Sequence, residues 1–324
     1  MVIFITGGTG FLGQQLIKRL KKNYSGLSGL ARSERSVKEL ASLDITPVLG
    51  SLENIEQWKG NLVGVDTLIH CAAPVEFWGS WEKYQTGIVE ATENLYKEAE
   101  RAGVKRFIFL SSESVLQDSK DLINIDESEP YPNSPNSYYG KSKMIAEQFI
   151  LAQKSNMTSI IIRPTFIWGN DVPALDTMLQ KINSKDFMWV DNGKSAFEMV
   201  HVDNVAEAIA LACEKGTDKG IYFVTDDNSQ PIKEFLIKLF KTQGVDAPNK
   251  NIPKWLATIL ASIVEKIWRG LNLKSDPPLT KFDLSFVSMG RRYKIDKIKN
   301  DLGYKPIITE AEGLKKMSDA NKQL

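Results

Sequence analysis

A tyrosine and a lysine four positions apart, Tyr139 and Lys143, stand in the run Tyr138-Tyr-Gly-Lys-Ser-Lys143. On a helix that spacing puts both side chains on one face. A phenol with an unperturbed pKa of about 10 is a poor base at neutral pH. A neighbouring ammonium favours the phenolate and brings it into range. Upstream, an apolar run ends in Ser111-Ser112. A serine hydroxyl there can hold a substrate oxygen and stabilise charge developing on it. These residue types suit proton transfer at an oxygen bound to carbon. Tyr139 is the expected acid/base, Lys143 the group that tunes and orients it, and Ser112 (or Ser111) the polarising hydroxyl.

A second set of residues says what that proton accompanies. Residues 2–6 read as a buried strand, and Leu12, Leu16 and Leu20 begin a helical stripe. Between them, Gly7, Gly8, Gly10 and Gly13 permit a tight turn, close backbone approach to an anion and close helix–strand packing. The following helix begins with free N–H groups aimed into the turn, which is a pyrophosphate site. Thr9, Phe11 and Leu12 share it. With a dinucleotide there, Tyr139 chemistry becomes half of a hydride transfer between a carbinol carbon and a nicotinamide. The end of the second strand, 26–31, selects the cofactor. No acid follows until Glu34, whereas Arg32 is placed for a 2′-phosphate and Ser33 for a second hydrogen bond. NADP is expected, with NAD as the alternative.

The elements that position these groups alternate. Strands are predicted at 2–6, 26–31, 45–49, 65–70, 107–110, 159–163 and 220–225, with helices at 34–43, 81–102 and 138–154. Crossover-length connections make the sheet parallel and doubly wound. The fourth strand ends in His70-Cys-Ala-Ala-Pro74; Ala72, Ala73 and Pro74 let backbone approach a ligand across the sheet edge. His70, on a buried strand, reads as a structural histidine. Residues 117–137, with Pro130, Pro132 and Pro135, read as an ordered loop without a regular element. Residues 197–204 enter a helix capped by Asp203 or Asn204. The expected division is a cofactor-binding part at 1–170, to which 197–226 return, and a smaller, mostly helical substrate part at 171–196 and 227–324.

Composition narrows the partners. The 324 residues are 42% hydrophobic and 25% charged with a net charge of +1, so nothing points to nucleic acid. Cys71 and Cys213 lie in apolar stretches and read as buried thiols. With two histidines and no Cys/His cluster, no metal site is expected. No secretory signal is visible, so the expected location is cytoplasmic. The apolar run from Trp255 to Trp268 falls short of the roughly 20 residues needed to span a bilayer. Flanked by Lys254, Lys266 and Arg269, it would suit a helix lying on a membrane surface; the alternative is a buried helix or one lining the substrate cleft.

The motif Thr6-Gly-Gly-Thr-Gly-Phe-Leu-Gly13, the Ser111-Ser112 strand end, Tyr139-Gly-Lys-Ser-Lys143 and Arg163-Pro-Thr-Phe-Ile-Trp-Gly169 resemble the extended short-chain dehydrogenase/reductase family over nearly the whole chain. Val200-His-Val-Asp-Asn-Val205, Pro277-Pro-Leu-Thr280, Arg291-Arg-Tyr293 and Leu302-Gly-Tyr304 are similar to its 3β-hydroxysteroid and sterol-4-carboxylate dehydrogenase branch. The resemblance implies a Rossmann-like sheet with a small C-terminal substrate part. It places Pro164, Thr165 and Phe166 at the nicotinamide end and Ala72 to Pro74 along the cofactor. It is compatible with a homodimer through the long helices. Two positions depart from the family: Ile88 replaces an asparagine on the central helix, and Leu52 with Ser51 stands where an acidic adenine contact is common. The aromatic loop with Phe77, Trp78 and Trp81 suggests a largely apolar, sterol- or terpenoid-like alcohol or ketone. A nucleotide-sugar epimerase or dehydratase, using Arg291 and Arg292 for a diphosphate, is the alternative on this scaffold. A third reading is a cofactor-binding regulatory protein, against which the intact Ser, Tyr and Lys argue.

Overall fold

A computed structural model describes residues 1–74, 78–271, 273, 275 and 277–322. The strands are β1 (Val2–Thr6), β2 (Gly26–Ala31), β3 (Thr46–Leu49), β4 (Thr67–His70), β5 (Arg106–Leu110), β6 (Leu122–Ile125), β7 (Thr158–Pro164), β8 (Phe166–Trp168), β9 (Trp189–Val190), β10 (Ala196–His201), β11 (Gly220–Val224), β12 (Ser229–Pro231), β13 (Asn251–Ile252) and β14 (Arg291–Tyr293). Seven form one sheet in the order β11-β7-β5-β4-β1-β2-β3, with every neighbouring pair parallel. Continuous apolar runs such as Phe107-Ile-Phe-Leu110 are what a sheet covered on both faces requires.

The helices are α1 (Phe11–Leu20), α2 (Glu34–Ser42), α3 (Trp81–Tyr84), α4 (Ala91–Arg101), α5 (Tyr138–Ala152), α6 (Pro173–Asn183), α7 (Val202–Ala212), α8 (Ile232–Lys241), α9 (Lys254–Gly270), α10 (Lys281–Ser288), α11 (Asp296–Leu302) and α12 (Glu310–Asn321). Leu16 and Ile17 of α1 and Ile209 of α7 share one core with Ile5 and Ile162. Leu95 of α4 and Ile150 of α5 share the core on the other face with Phe107 and Phe109. The long helix expected at 81–102 is α3 and α4 joined by a π-helical segment, Gln85–Glu90, and the chain leaves it at Gly103 with φ +79°. From β1 the chain runs outward to β2 and β3, then crosses to β4 on β1's other side. That reversal opens a crevice at the carboxyl ends of β1 and β4, where ligands bind in such sheets.

Two expectations are corrected. The stretch 117–137 contains β6, which pairs in parallel with β14, so residues near the C-terminus are tied to the segment after Ser112. The cap of α7 is His201, whose Nδ1 accepts from the Asp203 N–H at 3.2 Å. Asn204 is buried inside the helix instead, donating to Asp226 and to the Ile308 carbonyl. Helix α9 of the Trp255 stretch is not a buried helix. Ala257 and Ala261 are its buried residues, while Trp255, Ile259, Leu260, Ile263 and Ile267 are exposed.

Candidate active site

The glycine turn is held by backbone that leaves no room for side chains. Gly7 has φ +78°, and a Cβ there would stand 2.7 Å from the Ala72 nitrogen. A Cβ on Gly13 would stand 2.1 Å from the Gly7 carbonyl oxygen. The ends of β1 and β4 and the start of α1 thus meet as backbone against backbone. Gly10 is the N-cap of α1, with no side-chain capping bond and no acid in the first turn, which leaves this end suited to an anion. Thr9 receives the Gln14 side chain on its carbonyl; Leu12 is buried and Phe11 half-buried. The cradle fits a dinucleotide pyrophosphate. Arg32 is exposed at the end of β2, and Ser33 caps α2 by accepting from the Ser36 N–H at 3.2 Å. Leu52 begins a short 3₁₀ turn beside this edge.

His70 is enclosed between two threonines, with Nδ1 2.7 Å from Thr6 Oγ1 and Nε2 3.2 Å from Thr92 Oγ1. Burial pushes its pKa down to about 3, so it stays neutral and structural. Ile88, on the π-helical segment before α4, lies in the apolar core. Cys213 is buried and Cys71 half-buried, and both are free thiols.

Ser112, Tyr139 and Lys143 are brought together by a close approach. Ser112 ends the segment after β5 and caps a 3₁₀ turn, Glu113–Leu116, by accepting from the Ser114 N–H. Helix α5 starts against that turn at Gly140, where a Cβ would lie 2.5 Å from the Ser114 carbonyl oxygen. This glycine was not singled out from the sequence; a glycine inside the first turn of a helix was the available signal. The approach brings Tyr139 into a hydrogen bond with Ser112. The expectation that the Lys143 ammonium brings the phenol into range is corrected: burial pushes the Tyr139 phenol up to about 12, Ser112 opposes the shift and the nearby Glu113 charge adds to it. Lys143 is buried, donates to the Leu110 carbonyl at 2.7 Å and lies 4.5 Å from the Phe109 ring centre. Burial pushes it down to about 8 against the pull of Cys71 and Glu147. Ser111, also buried, has no partner for its hydroxyl among the described residues.

Pro164 ends β7, the Thr165 N–H bonds the Val224 carbonyl at 3.2 Å, and Phe166 meets Phe286 edge-on at 5.2 Å. Trp81 packs on Tyr138 at 5.7 Å, and Arg269 of α9 stacks over both Trp78 and Tyr138. Phe77 lies outside the described residues.

Four further residues gather beside this centre. Glu113 accepts from Gln117 at 2.6 Å and from the Tyr293 hydroxyl at 2.8 Å, and Arg291 Nη1 lies 3.4 Å from its other oxygen. All four residues are buried. Arg291 also lies over the Phe286 ring, and its Nε and Nη2 have no partner among the described residues. Arg291 and Arg292, the candidates for a diphosphate under the epimerase alternative, are set apart: Arg291 points into the protein beside Glu113, while Arg292 is exposed. Nothing in sequence spacing signals a contact between positions 178 apart.

A parallel sheet with its glycine turn at the reversal point, and a Ser–Tyr–Lys group at the ends of neighbouring elements, define a Rossmann-type nucleotide-dependent oxidoreductase. Residues 4–254 match the 3-beta hydroxysteroid dehydrogenase/isomerase family. The chain is 35% identical over 324 residues to the 4-hydroxy-2-methyl-3-oxo-4-farnesyl-3,4-dihydroquinoline-1-oxide ketoreductase of Stigmatella aurantiaca, covering 99% of this chain and 96% of that one. It is 34% identical over 322 residues to the decarboxylating sterol-4-alpha-carboxylate 3-dehydrogenase of Dictyostelium discoideum, covering 96% and 98%. A UDP-glucose 4-epimerase from Thermotoga maritima, solved with UDP-glucose, shares the fold at TM-score 0.77 and 20% identity, covering 100% and 99%. The chain belongs to the 3-beta hydroxysteroid dehydrogenase/isomerase family, within the extended short-chain dehydrogenases/reductases, and is an NAD(P)-dependent enzyme.

The packing at Gly140 yields a direct expectation. Gly140→Ala displaces α5 from the Ser114 carbonyl and lowers the melting temperature. It also reduces kcat by roughly 10–100-fold, because a small misplacement of reacting groups is costly. Undiminished kcat in the folded variant would show that this contact does not set the Ser112–Tyr139 geometry.

Proposed function

We propose that this enzyme reduces a ketone, or oxidises the matching secondary alcohol, on an apolar skeleton that carries a carboxylate near the reacting carbon. The observation that carries the substrate reading is the open edge of Arg291. Nε and Nη2 lie on one side of a guanidinium and form the fork that holds a carboxylate by two bonds. The same edge of Arg163 holds Glu147 this way, at 3.0 and 2.6 Å. Arg291 is buried beside Glu113, whose charge reaches Tyr139. Relatives with such substrates support the reading: the sterol-4-alpha-carboxylate dehydrogenase, and a 2-alkyl-3-oxoalkanoate reductase of Stenotrophomonas maltophilia at 28% identity. A lone buried arginine with a carboxylate against it does not suit a diphosphate, which weighs against a sugar-nucleotide substrate.

In this reading Tyr139 moves the proton at the substrate oxygen, Ser112 holds that oxygen, and Lys143 keeps positive charge beside the phenol while offering its remaining protons to a ribose. A bound nicotinamide supplies or accepts the hydride. Gly7, Thr9, Gly10, Phe11, Leu12 and Gly13 hold the pyrophosphate, Leu52 the adenine side, and Ala72, Ala73, Pro74, Ser111, Pro164, Thr165 and Phe166 line the path to the nicotinamide. Arg32 and Ser33 select NADP. Residues 1–170 with 197–226 form the cofactor side; 171–196 and 227–324 form the substrate side, with Trp78 and Trp81 at the cleft.

Helix α9 adds a membrane reading. Trp255, Ile259, Ile263 and Ile267 recur every fourth position on an exposed face, and Arg269 at its far end reaches Trp78. No helix among the described residues is long and apolar enough to cross a membrane. We infer peripheral contact that delivers apolar substrate to the cleft.

Two measurements test these proposals. A 2-alkyl-3-oxo acid and its methyl ester, assayed with NADPH and NADH on wild type and Arg32→Ser, should show kcat/KM at least about tenfold higher for the acid. Arg32→Ser should lose NADPH preference by a similar factor. Equal use of acid and ester removes the carboxylate reading, and unchanged cofactor preference removes the role of Arg32. In flotation with liposomes, the wild type should rise with the lipid and a Trp255→Ser/Ile263→Ser variant should not; a wild type left at the bottom of the gradient ends the membrane reading.

A further inference from the structure

Glu113 follows the candidate polarising serine directly, yet all its partners but one lie on distant parts of the chain. Gln117, four residues on, donates to Oε2 at 2.6 Å; the Tyr293 hydroxyl donates to the same oxygen at 2.8 Å; Arg291 Nη1 stands 3.4 Å from Oε1. Arg291 and Tyr293 belong to β14, which is paired to β6, and the Tyr293 N–H bonds Glu198 on β10 at 3.1 Å. β14 is therefore held by main-chain pairing along one side and by the Glu113 carboxylate at its inner end. A carboxylate that gathers three donors fixes their orientation more tightly than an apolar contact would.

We propose that Glu113 is a positioning residue that locks the substrate-side strand β14 to the Ser112 strand end and so sets where the open edge of Arg291 stands relative to Tyr139. This rests on the proposed reading of Arg291 as a substrate carboxylate holder. The groups facing Glu113 are Arg291 and Tyr293 from β14, Gln117 from its own turn and Tyr139 from α5. Glu198 on β10 stands behind Tyr293, and Lys143 lies one turn along α5 from Tyr139. Burial holds the Tyr293 phenol protonated, so it acts as a donor. The Glu113 charge is one of the causes raising Tyr139. Removing that charge while keeping the shape lowers the Tyr139 pKa, so the phenolate becomes available at lower pH.

The test is steady-state kinetics on Glu113→Gln and Tyr293→Phe with a 2-alkyl-3-oxo acid, its methyl ester and the matching alcohols. Glu113→Gln should bind NADPH as tightly as wild type, raise KM for the acid about tenfold with less change for the ester, and move the low-pH limb of alcohol oxidation to lower pH. Tyr293→Phe keeps the charge and loses one donor. It should raise KM for the acid roughly threefold without moving the pH limb, which keeps the proposal testable if Glu113→Gln does not fold. Unchanged KM for the acid and an unmoved limb in Glu113→Gln overturn the proposal, as does a fall in melting temperature with both preserved. An unchanged KM in Tyr293→Phe overturns it as well. If wild type already uses acid and ester equally, the carboxylate reading fails and this inference falls with it. If wild type prefers the acid and neither variant changes KM, only the role of Glu113 fails.

Discussion

The backbone contact between Gly140 and the Ser114 carbonyl is the constraint on which the rest of the site depends. Helix α5 and the turn after β5 come from separate parts of the chain, and any side chain at residue 140 would hold them apart. Their approach brings the Ser112 hydroxyl to Tyr139, and the same helix carries Lys143 under the sheet edge to the Leu110 carbonyl. The glycine turn does the same work at the other side of the crevice, where Gly7 and Gly13 let β1, β4 and α1 touch through backbone alone. Both halves of the centre are thus held by rigid main-chain packing, which keeps the Ser112, Tyr139 and Lys143 side chains in place.

Around this packing the protein buries charge, and each charge is given a partner. Arg163 and Glu147 form a nearly inaccessible pair that also takes the Tyr131 hydroxyl. A buried ion pair of this kind gains little stability over an apolar pair, but losing either member leaves a buried charge uncompensated. It joins β7 to α5 two turns along from Gly140, so α5 is held at two points of its length. Arg291 differs, because Glu113 satisfies one nitrogen and leaves a two-donor edge open in a buried setting. Arg163 turns its Nε–Nη2 edge to Glu147, whereas the same edge of Arg291 meets no partner among the described residues.

Much of this was legible in the sequence, for physical reasons. The parallel sheet follows from apolar runs separated by crossover-length helices, and the glycine turn from spacing that only close backbone contact requires. Tyr139 and Lys143 are visible because helical periodicity puts them on one face. Strand β6 was not legible, since proline and acidic residues surround it and its partner, β14, lies far along the chain. The His201 cap escaped because capping preference favours the neighbouring Asp and Asn, while Asn204 is drawn into the core by Asp226 and Ile308. The Glu113–Arg291–Tyr293 group depends on tertiary pairing that periodicity does not encode. The exposed apolar face of α9 was not legible as exposed, because periodicity marks an apolar face without saying what covers it.

The central claim is that Tyr139 moves the proton that accompanies hydride transfer to a substrate ketone. Incubation with a 3-oxo acid and NADPH carrying deuterium at the reactive nicotinamide carbon tests it most directly, with the product read by mass spectrometry. Wild type should place the deuterium on the new carbinol carbon. Tyr139→Phe should gain the same thermal stabilisation from NADPH yet transfer deuterium more slowly by a factor of roughly 10² or more. Transfer at the wild-type rate by Tyr139→Phe, or a wild-type product without deuterium at that carbon, would contradict the account.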